Sequence, residues 1–192
     1  DFVVEYIAQT RTWFNYMLTI STLLFRSTPF KAVVSTGNLQ GNDGRKMSKS
    51  FGNFPDPWSI YNTIGVDTTR FYLISSPLLK GEDMAFSAKD LQSISQKIFG
   101  RLRNTASFYE MYADKNVVLK NPTDSKNVLD IWILIRLSQI SAEATKGLEN
   151  FKLDEAYKGV SDFVDDLSAW YLRRSRDRFK EKNEDAYFAQ ST

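Results

Sequence analysis

From Thr10 to Phe25 apolar residues recur at spacings of three and four, at Trp13, Phe14, Tyr16, Met17, Ile20, Leu23 and Leu24. That period predicts a helix with a wide buried face. Ser27-Thr28-Pro29 ends it, and Phe30 to Thr36, rich in β-branched residues and closed by Gly37, predicts a short strand. A helix followed by a strand is half of an α/β repeat. From Gln40 to Asn53 the periodicity vanishes and a loop is expected. Asp56-Pro57 opens a helix with a capping carboxylate and a first-turn proline, and Asp67 plays the same capping part for Thr68 to Ile74. Pro77 and Gly81 mark a turn, Met84 to Phe86 a brief strand, and Ser87 with Asp90 three residues on opens a long helix. Its stripe runs through Ile94, Ile98, Leu102, Thr105, Tyr109 and Tyr112. Asn121 to Asp124 is a loop, Val128 to Leu148 a further helix ended by Asn150, and a last helix begins near Asp154.

At about 100° per residue, Ala156, Val160, Phe163, Leu167, Trp170 and Tyr171 share one face of that last helix. The next residues on the stripe are Arg174 and Arg178, flanked by Arg173, Arg176, Lys180 and Lys182. One explanation is a solvated helix end, its cations favoured by the helix dipole or paired with Asp165 and Asp166. The other is a phosphate-contacting surface, because guanidinium forks match phosphate geometry and stack on bases.

Composition narrows the chemistry more than it narrows the fold. The chain of 192 residues has 42% apolar residues and a net charge of +2, which suits a globular chain and makes any nucleic-acid site a local patch. It lacks a run of about 20 apolar residues and a basic leader, so no membrane partner and a cytoplasmic location are expected. There is no Cys and no His, which excludes disulfides, thiolate nucleophiles and imidazole bases. Chemistry must run on Lys, Arg, carboxylates, hydroxyls or backbone dipoles.

The stretch best equipped for it is Lys46-Met47-Ser48-Lys49-Ser50, with Gly44 and Gly52 on either side as potential hinges. Two ammoniums three residues apart, with hydroxyls and free amides between them, suit a polyphosphate whose charge grows in the transition state. A merely solubilising basic loop is the plainer explanation. The five residues resemble the KMSKS signature of class I aminoacyl-tRNA synthetases. Asp43-Gly44-Arg45 before them and Phe51-Gly52-Asn53 through Asp56-Pro57 after them are similar to that family's D-G-x-K-M-S-K-S-x-G-N-x-x-D-P stretch. Gly65-Val66-Asp67-Thr68-Thr69-Arg70 is similar to its G-A-D-A-x-R. Glu5 to Phe14 resembles the E-G-x-D-Q-x-R-G-W-F segment of isoleucyl-tRNA synthetases, with Tyr6, Ala8 and Thr12 standing where relatives have Gly, Asp and Gly. Thr36-Gly37 replaces a common His-Gly. Asp165 to Arg176 resembles an anticodon-domain helix carrying W-Y-x-R-R-S-R. Valyl enzymes, which lack Q-x-R-x-W-F, are the nearest alternative family.

The resemblance implies an α/β plus all-α architecture, mainly helical. Residues 1–54 would be the C-terminal half of a Rossmann-type catalytic domain with the KMSKS loop. Residues 55–88 would be a connecting stem-contact region, and 89–192 a helical anticodon-binding domain. It implies that Lys46 and Lys49 are catalytic and that Lys46, Met47, Ser48, Lys49 and Ser50 bind ATP. Glu5, Gln9 and Trp13 would hold amino acid and adenylate, although Trp13 alone would read as plain core. Trp170, Arg173, Arg174, Arg176 and Arg178 would bind tRNA. ATP with Mg2+, isoleucine and its tRNA are the implied ligands, in a monomeric parent, with no metal site in this chain. The family's second signature, HIGH, needs two histidines that this chain lacks, so an inactive excised piece is expected. A stand-alone RNA-binding helical module is the reading from another class.

Overall fold

The computed structural model describes residues 1–113 and 118–192. The backbone divides into two compact units, residues 1–92 with 147–155, and residues 93–146 with 156–192.

In the first unit, strand β1 (Phe2–Tyr6) leads through a 3-10 turn (Ile7–Arg11) into helix α1 (Trp13–Phe25) and back to strand β2 (Ala32–Thr36). β1 and β2 pair in parallel, with Phe2 opposite Ala32 and Tyr6 opposite Thr36. This β-α-β unit matches the expected α/β half-repeat, with β1 added. α1 differs from expectation in what it buries. Phe14 is 5% exposed, yet Tyr16, Ile20, Leu23, Leu24 and Phe25 are all open to solvent. A two-stranded parallel sheet is too small to cover so wide an apolar face.

A second parallel pair joins β3 (Leu39–Gln40) to β4 (Met84–Ala85). Between them lie α2 (Pro57–Thr63) and α3 (Val66–Ile74). Asp56 caps α2 as expected, accepting from the Ser59 N–H at 3.0 Å. Gly65, rather than Asp67, is the N-cap of α3, and Asp67 sits in its first turn. Gly37 lets two backbones meet: a Cβ there would lie 1.9 Å from the Glu82 carbonyl oxygen. Residues 147–155 are tied to this unit by the Phe2 and Phe151 rings, 5.1 Å apart, and by Lys80 to Asp154 at 3.0 Å. Phe151 takes φ 56°, in the left-handed position that ends a helix.

The second unit is helical, and three of its helices, α4, α6 and α7, have an end among the residues of the first. Helix α4 (Ala88–Ile94), begun at Ser87, whose hydroxyl accepts from the Asp90 N–H, runs through a π-helical turn (Ser95–Gly100) into α5 (Arg101–Tyr112). α6 is Val128–Glu149. α7 (Leu153–Asp165) continues through a second π-helical segment (Asp166–Leu172) into α8 (Arg173–Ser175), and α9 is Glu184–Ser191. The core of this unit gathers Phe108, Phe179 and Ala189, flanked by Tyr112 and Leu172. Phe108 faces Phe179 at 5.4 Å, while its neighbour Tyr109, expected on the same stripe, is exposed. Among the described residues no helix is long and apolar enough to cross a membrane.

Candidate functional site

The lysine–serine loop hangs on one asparagine. The Asn53 side-chain oxygen accepts from the Ser48 N–H at 2.9 Å, and its amide donates to Asp43 at 3.0 Å and to the carbonyls of Arg45 and Lys46 at 3.3 Å each. Asp43 also accepts from the Arg45 N–H and guanidinium. These bonds, with Asn53 foremost, hold the Asp43 carboxyl down at about 2. Gly41 brings the two limbs together, since a Cβ there would sit 2.4 Å from the Asn53 carbonyl oxygen. Gly44 and Gly52, at φ 73° and 59°, supply the left-handed turns at each end. On the sheet side Lys46 bridges Gln40, and the Met47 N–H donates to Leu39 at 3.0 Å.

The loop forms one wall of a cavity of about 600 Å³ shared by Tyr6, Lys46, Ser48, Lys49, Phe54 and Tyr61, with Met47 also on it. The Lys46 ammonium lies 4.1 Å from the centre of the Tyr6 ring. Ser48 and Ser50 hydroxyls are 3.0 Å apart, and Ser48 also accepts from the Phe51 N–H. Nearby, Asn38 bonds through its N–H and its amide lower the Asp83 carboxyl below the usual range, with the Lys46 charge assisting. The cavity thus has two cations, hydroxyls and a largely apolar remainder, a combination suited to a nucleotide with a phosphate chain. Unassigned from sequence, Tyr6 is an added member of its lining, and Asn53 holds the loop from outside it. The only sequence signals for them were a bulky residue in place of Gly and the Gly-Asn turn.

Glu5, Gln9 and Trp13 lie outside the lining of this cavity. Glu5 accepts from its neighbour's N–H, and Gln9 accepts from the Thr12 hydroxyl and the Trp13 N–H at the start of α1. Trp13 is 44% exposed, while Phe14, one residue on, turns inward.

On the last helix the buried positions are Tyr171, Ser175 and Phe179, one residue later than the stripe of Trp170, Arg174 and Arg178. The slip is already present at Val164, which is buried where the stripe placed Phe163, so it precedes the π-helical segment. Trp170 and Arg174 are thereby carried to the open face, with the guanidinium 3.8 Å from the indole centre. Arg173 and Arg176 line a cleft of about 450 Å³ with Asn104, Thr105, Phe108 and Ser168. The Thr105 hydroxyl there is buried without a partner. Arg178 takes another place: its side chain is 14% exposed and grips Asp130 and Asp185. Asp165 and Asp166, offered above as partners of the basic end, pair with Arg101 and Arg136. Among the described residues no group of three or more acidic side chains is placed to hold a metal ion.

A family model described as tRNA synthetases class I (I, L, M and V) matches residues 1–87, and one described as the anticodon-binding domain of tRNA ligase matches residues 130–192. The isoleucine-tRNA ligase of Bdellovibrio bacteriovorus is 40% identical over 181 residues, 93% of this chain and 17% of the ligase. That of Nocardia farcinica is 39% identical over 186 residues, 97% of this chain and 18% of the ligase. The chain therefore spans less than a fifth of the curated relatives it matches. Two solved structures share the fold over the whole chain. One is a LeuRS of Agrobacterium radiobacter K84 in a ternary complex with tRNA and LeuAMS, at TM-score 0.75 and 19% identity, covering 24% of that chain. The other is Mycobacterium tuberculosis methionyl-tRNA synthetase with methionyl-adenylate, at TM-score 0.75 and 22% identity, covering 38% of that chain.

Proposed function

We propose that the chain is part of an isoleucine-tRNA ligase, since residues 1–87 match the class I tRNA synthetase model and residues 130–192 the anticodon-binding model. The parent enzyme joins isoleucine to ATP as an aminoacyl-adenylate and passes it to tRNA. The isoleucine carboxylate attacks the α-phosphorus, pyrophosphate leaves with the bonding electrons, and the amino acid remains on AMP. Negative charge builds on the phosphate oxygens during that step. Lys46 and Lys49 are the groups that meet it, with Ser48, Ser50 and the Met47 backbone alongside. Magnesium arrives with ATP as part of the substrate, and the chain's residues carry no step through it.

The observation that carries this reading is the convergence of Lys46, Ser48 and Lys49 on one 600 Å³ cavity. The parallel β1-α1-β2 unit and the open apolar face of α1 support assigning residues 1–54 to the second half of a Rossmann catalytic domain. In the same assignment residues 55–88 connect to the tRNA stem and residues 89–192 are anticodon-binding. Glu5, Gln9 and Trp13 keep their amino acid and adenylate roles as contacts from the β1 end. Trp170, Arg173, Arg174 and Arg176 form the tRNA surface, while Arg178 acts through Asp130 and Asp185. The parent works as a cytoplasmic monomer.

The test is isoleucine-dependent exchange of pyrophosphate into ATP by the full-length ligase containing this segment. Lys49→Ala is expected to slow exchange by a hundredfold or so, the loss of one transition-state charge contact, and the isolated 192-residue chain to give none. Exchange driven equally by valine, or unaffected by Lys49→Ala, overturns the reading.

A further inference from the structure

Polyphosphate sites place two demands on a lysine that conflict. A carboxylate partner would fix the ammonium but neutralise it, and an unanchored side chain keeps its charge but pays rotamer entropy on binding. Lys46 escapes both. Among the described residues it makes no ion pair, its backbone is pinned by the bridge to Gln40, and its ammonium rests 4.1 Å from the Tyr6 ring centre. Asp83, a carboxylate that feels the Lys46 charge, is occupied by Asn38 and Gln40. A ring face attracts a cation through its quadrupole without donating charge, so the three ammonium donors stay available.

We infer that Tyr6 is a positioning residue, an aromatic seat that holds Lys46 charged and aimed into the cavity for a polyphosphate chain. The inference rests on reading the loop as a polyphosphate site. Tyr6 itself lines that cavity, at the carboxyl end of β1, where the parallel register sets it opposite Thr36. Its backbone, at φ −74° and ψ 159°, is ordinary extended chain, so nothing in the backbone demands the glycine that the resembled family carries here. The ring therefore occupies the position without strain. Lys49, three residues on, is exposed and makes no ion pair or ring contact among the described residues. The two lysines are thus unequal: Lys46 is seated in advance and Lys49 closes on the ligand from solvent.

The experiment uses the 192-residue chain, inorganic tripolyphosphate as probe, and NMR of the Lys46 side chain at low ionic strength. In the unaltered chain the Lys46 Cε protons are expected upfield through the ring current. Tyr6→Phe should keep both that shift and the affinity. Tyr6→Leu should abolish the shift and weaken tripolyphosphate binding about two- to five-fold, the worth of an exposed cation–π contact. In a Lys46→Met background, Tyr6→Leu should change nothing further. Equal losses in the Phe and Leu variants, unchanged or tighter binding in Tyr6→Leu, or the same loss in the Lys46→Met background each overturn the inference. So does a failure of the unaltered chain to bind tripolyphosphate. The ligase reading stands or falls separately, on the pyrophosphate exchange of the full-length enzyme.

Discussion

Arg178 grips Asp130 with both terminal nitrogens, each at 2.8 Å from a different carboxylate oxygen. Asp130 is fully buried, and it also accepts from the Tyr171 hydroxyl at 2.9 Å and the Ser125 hydroxyl at 2.6 Å. The far side of the guanidinium holds Asp185 at 2.7 and 2.8 Å, tying α6, the segment after α8, and α9 together. Removing one partner leaves a buried charge unmatched, which costs about 3–5 kcal/mol. Arg178→Ala and Asp130→Ala are therefore each expected to lower unfolding free energy by about that amount in urea titrations. The double variant should cost less than the sum of the two. A loss below about 1 kcal/mol in Arg178→Ala would return this arginine to the solvent-facing role.

The same network sets an acid limit. Burial pushes the Asp130 carboxyl up, but hydrogen bonds from Arg178, Ser125 and Tyr171 outweigh it and the net shift is downward. Asp185 is lowered chiefly by its bonds from Arg178. A carboxyl depressed in the folded state stabilises it fully above the unfolded value, near 3.9, and loses that contribution as pH falls through the folded value. Stability measured by urea unfolding should thus be flat above about pH 5 and fall below about pH 4. The fall should be shallower in Arg178→Ala.

The loop clamp has its own signature. Asp43 should titrate at about 2 in a carboxyl-carbon NMR series, held there first by the Asn53 amide. Asn53→Ala removes that donor, and the Asp43 midpoint is expected to rise toward the ordinary 3.8. An unmoved midpoint would assign the depression to Arg45 instead.

How far these features were legible in the sequence depended on how local their causes are. The loop could be read because its chemistry is carried by adjacent side chains, and the caps at Asp56 and Ser87 because each bond spans three residues. The strands β1 and β3 were missed because their pairing comes from distant partners, β1 with β2 and β3 with β4. Arg174 and Arg178, read as one basic surface, part company for a different reason. A 100° period fits either of two neighbouring stripes, and the buried one, Val164, Tyr171, Ser175 and Phe179, lies one residue beyond Phe163, Trp170, Arg174 and Arg178. Nothing in the apolar pattern chooses between the two, since Trp170 and Tyr171 are adjacent aromatics and either one fits the core. Partners settle the matter: Asp130 lies 48 residues before Arg178.

Gly37 offers a test of the junction between β2 and the loop. Its N–H donates to Leu78 at 2.9 Å, and an added Cβ would overlap the Glu82 carbonyl, which is backbone and cannot swing aside. Gly37→Ala is expected to destabilise the first unit by about 1–3 kcal/mol, the usual cost of overpacking. Gly44→Ala meets no atom within 4 Å and suffers only from its left-handed φ, so about 1 kcal/mol is expected there. Thermal unfolding of the two variants should rank them in that order.

The open face of the last helix separates charge from stability. Arg174 stacks on Trp170 and makes no ion pair among the described residues, so its guanidinium edge is available to a phosphate. Arg174→Ala in the full-length ligase is expected to weaken tRNA binding several-fold and reduce the slope of log affinity against log salt by about 1. Its unfolding free energy should stay within about 0.5 kcal/mol of the parent, as for other exposed sites. Arg178→Ala should show the reverse, a stability loss with an unaltered salt slope wherever the variant remains folded. Trp170→Leu, which keeps the charge of Arg174 but removes its stacking partner, should weaken tRNA binding with the salt slope preserved. Identical salt slopes in the parent and Arg174→Ala would remove Arg174 from the RNA surface.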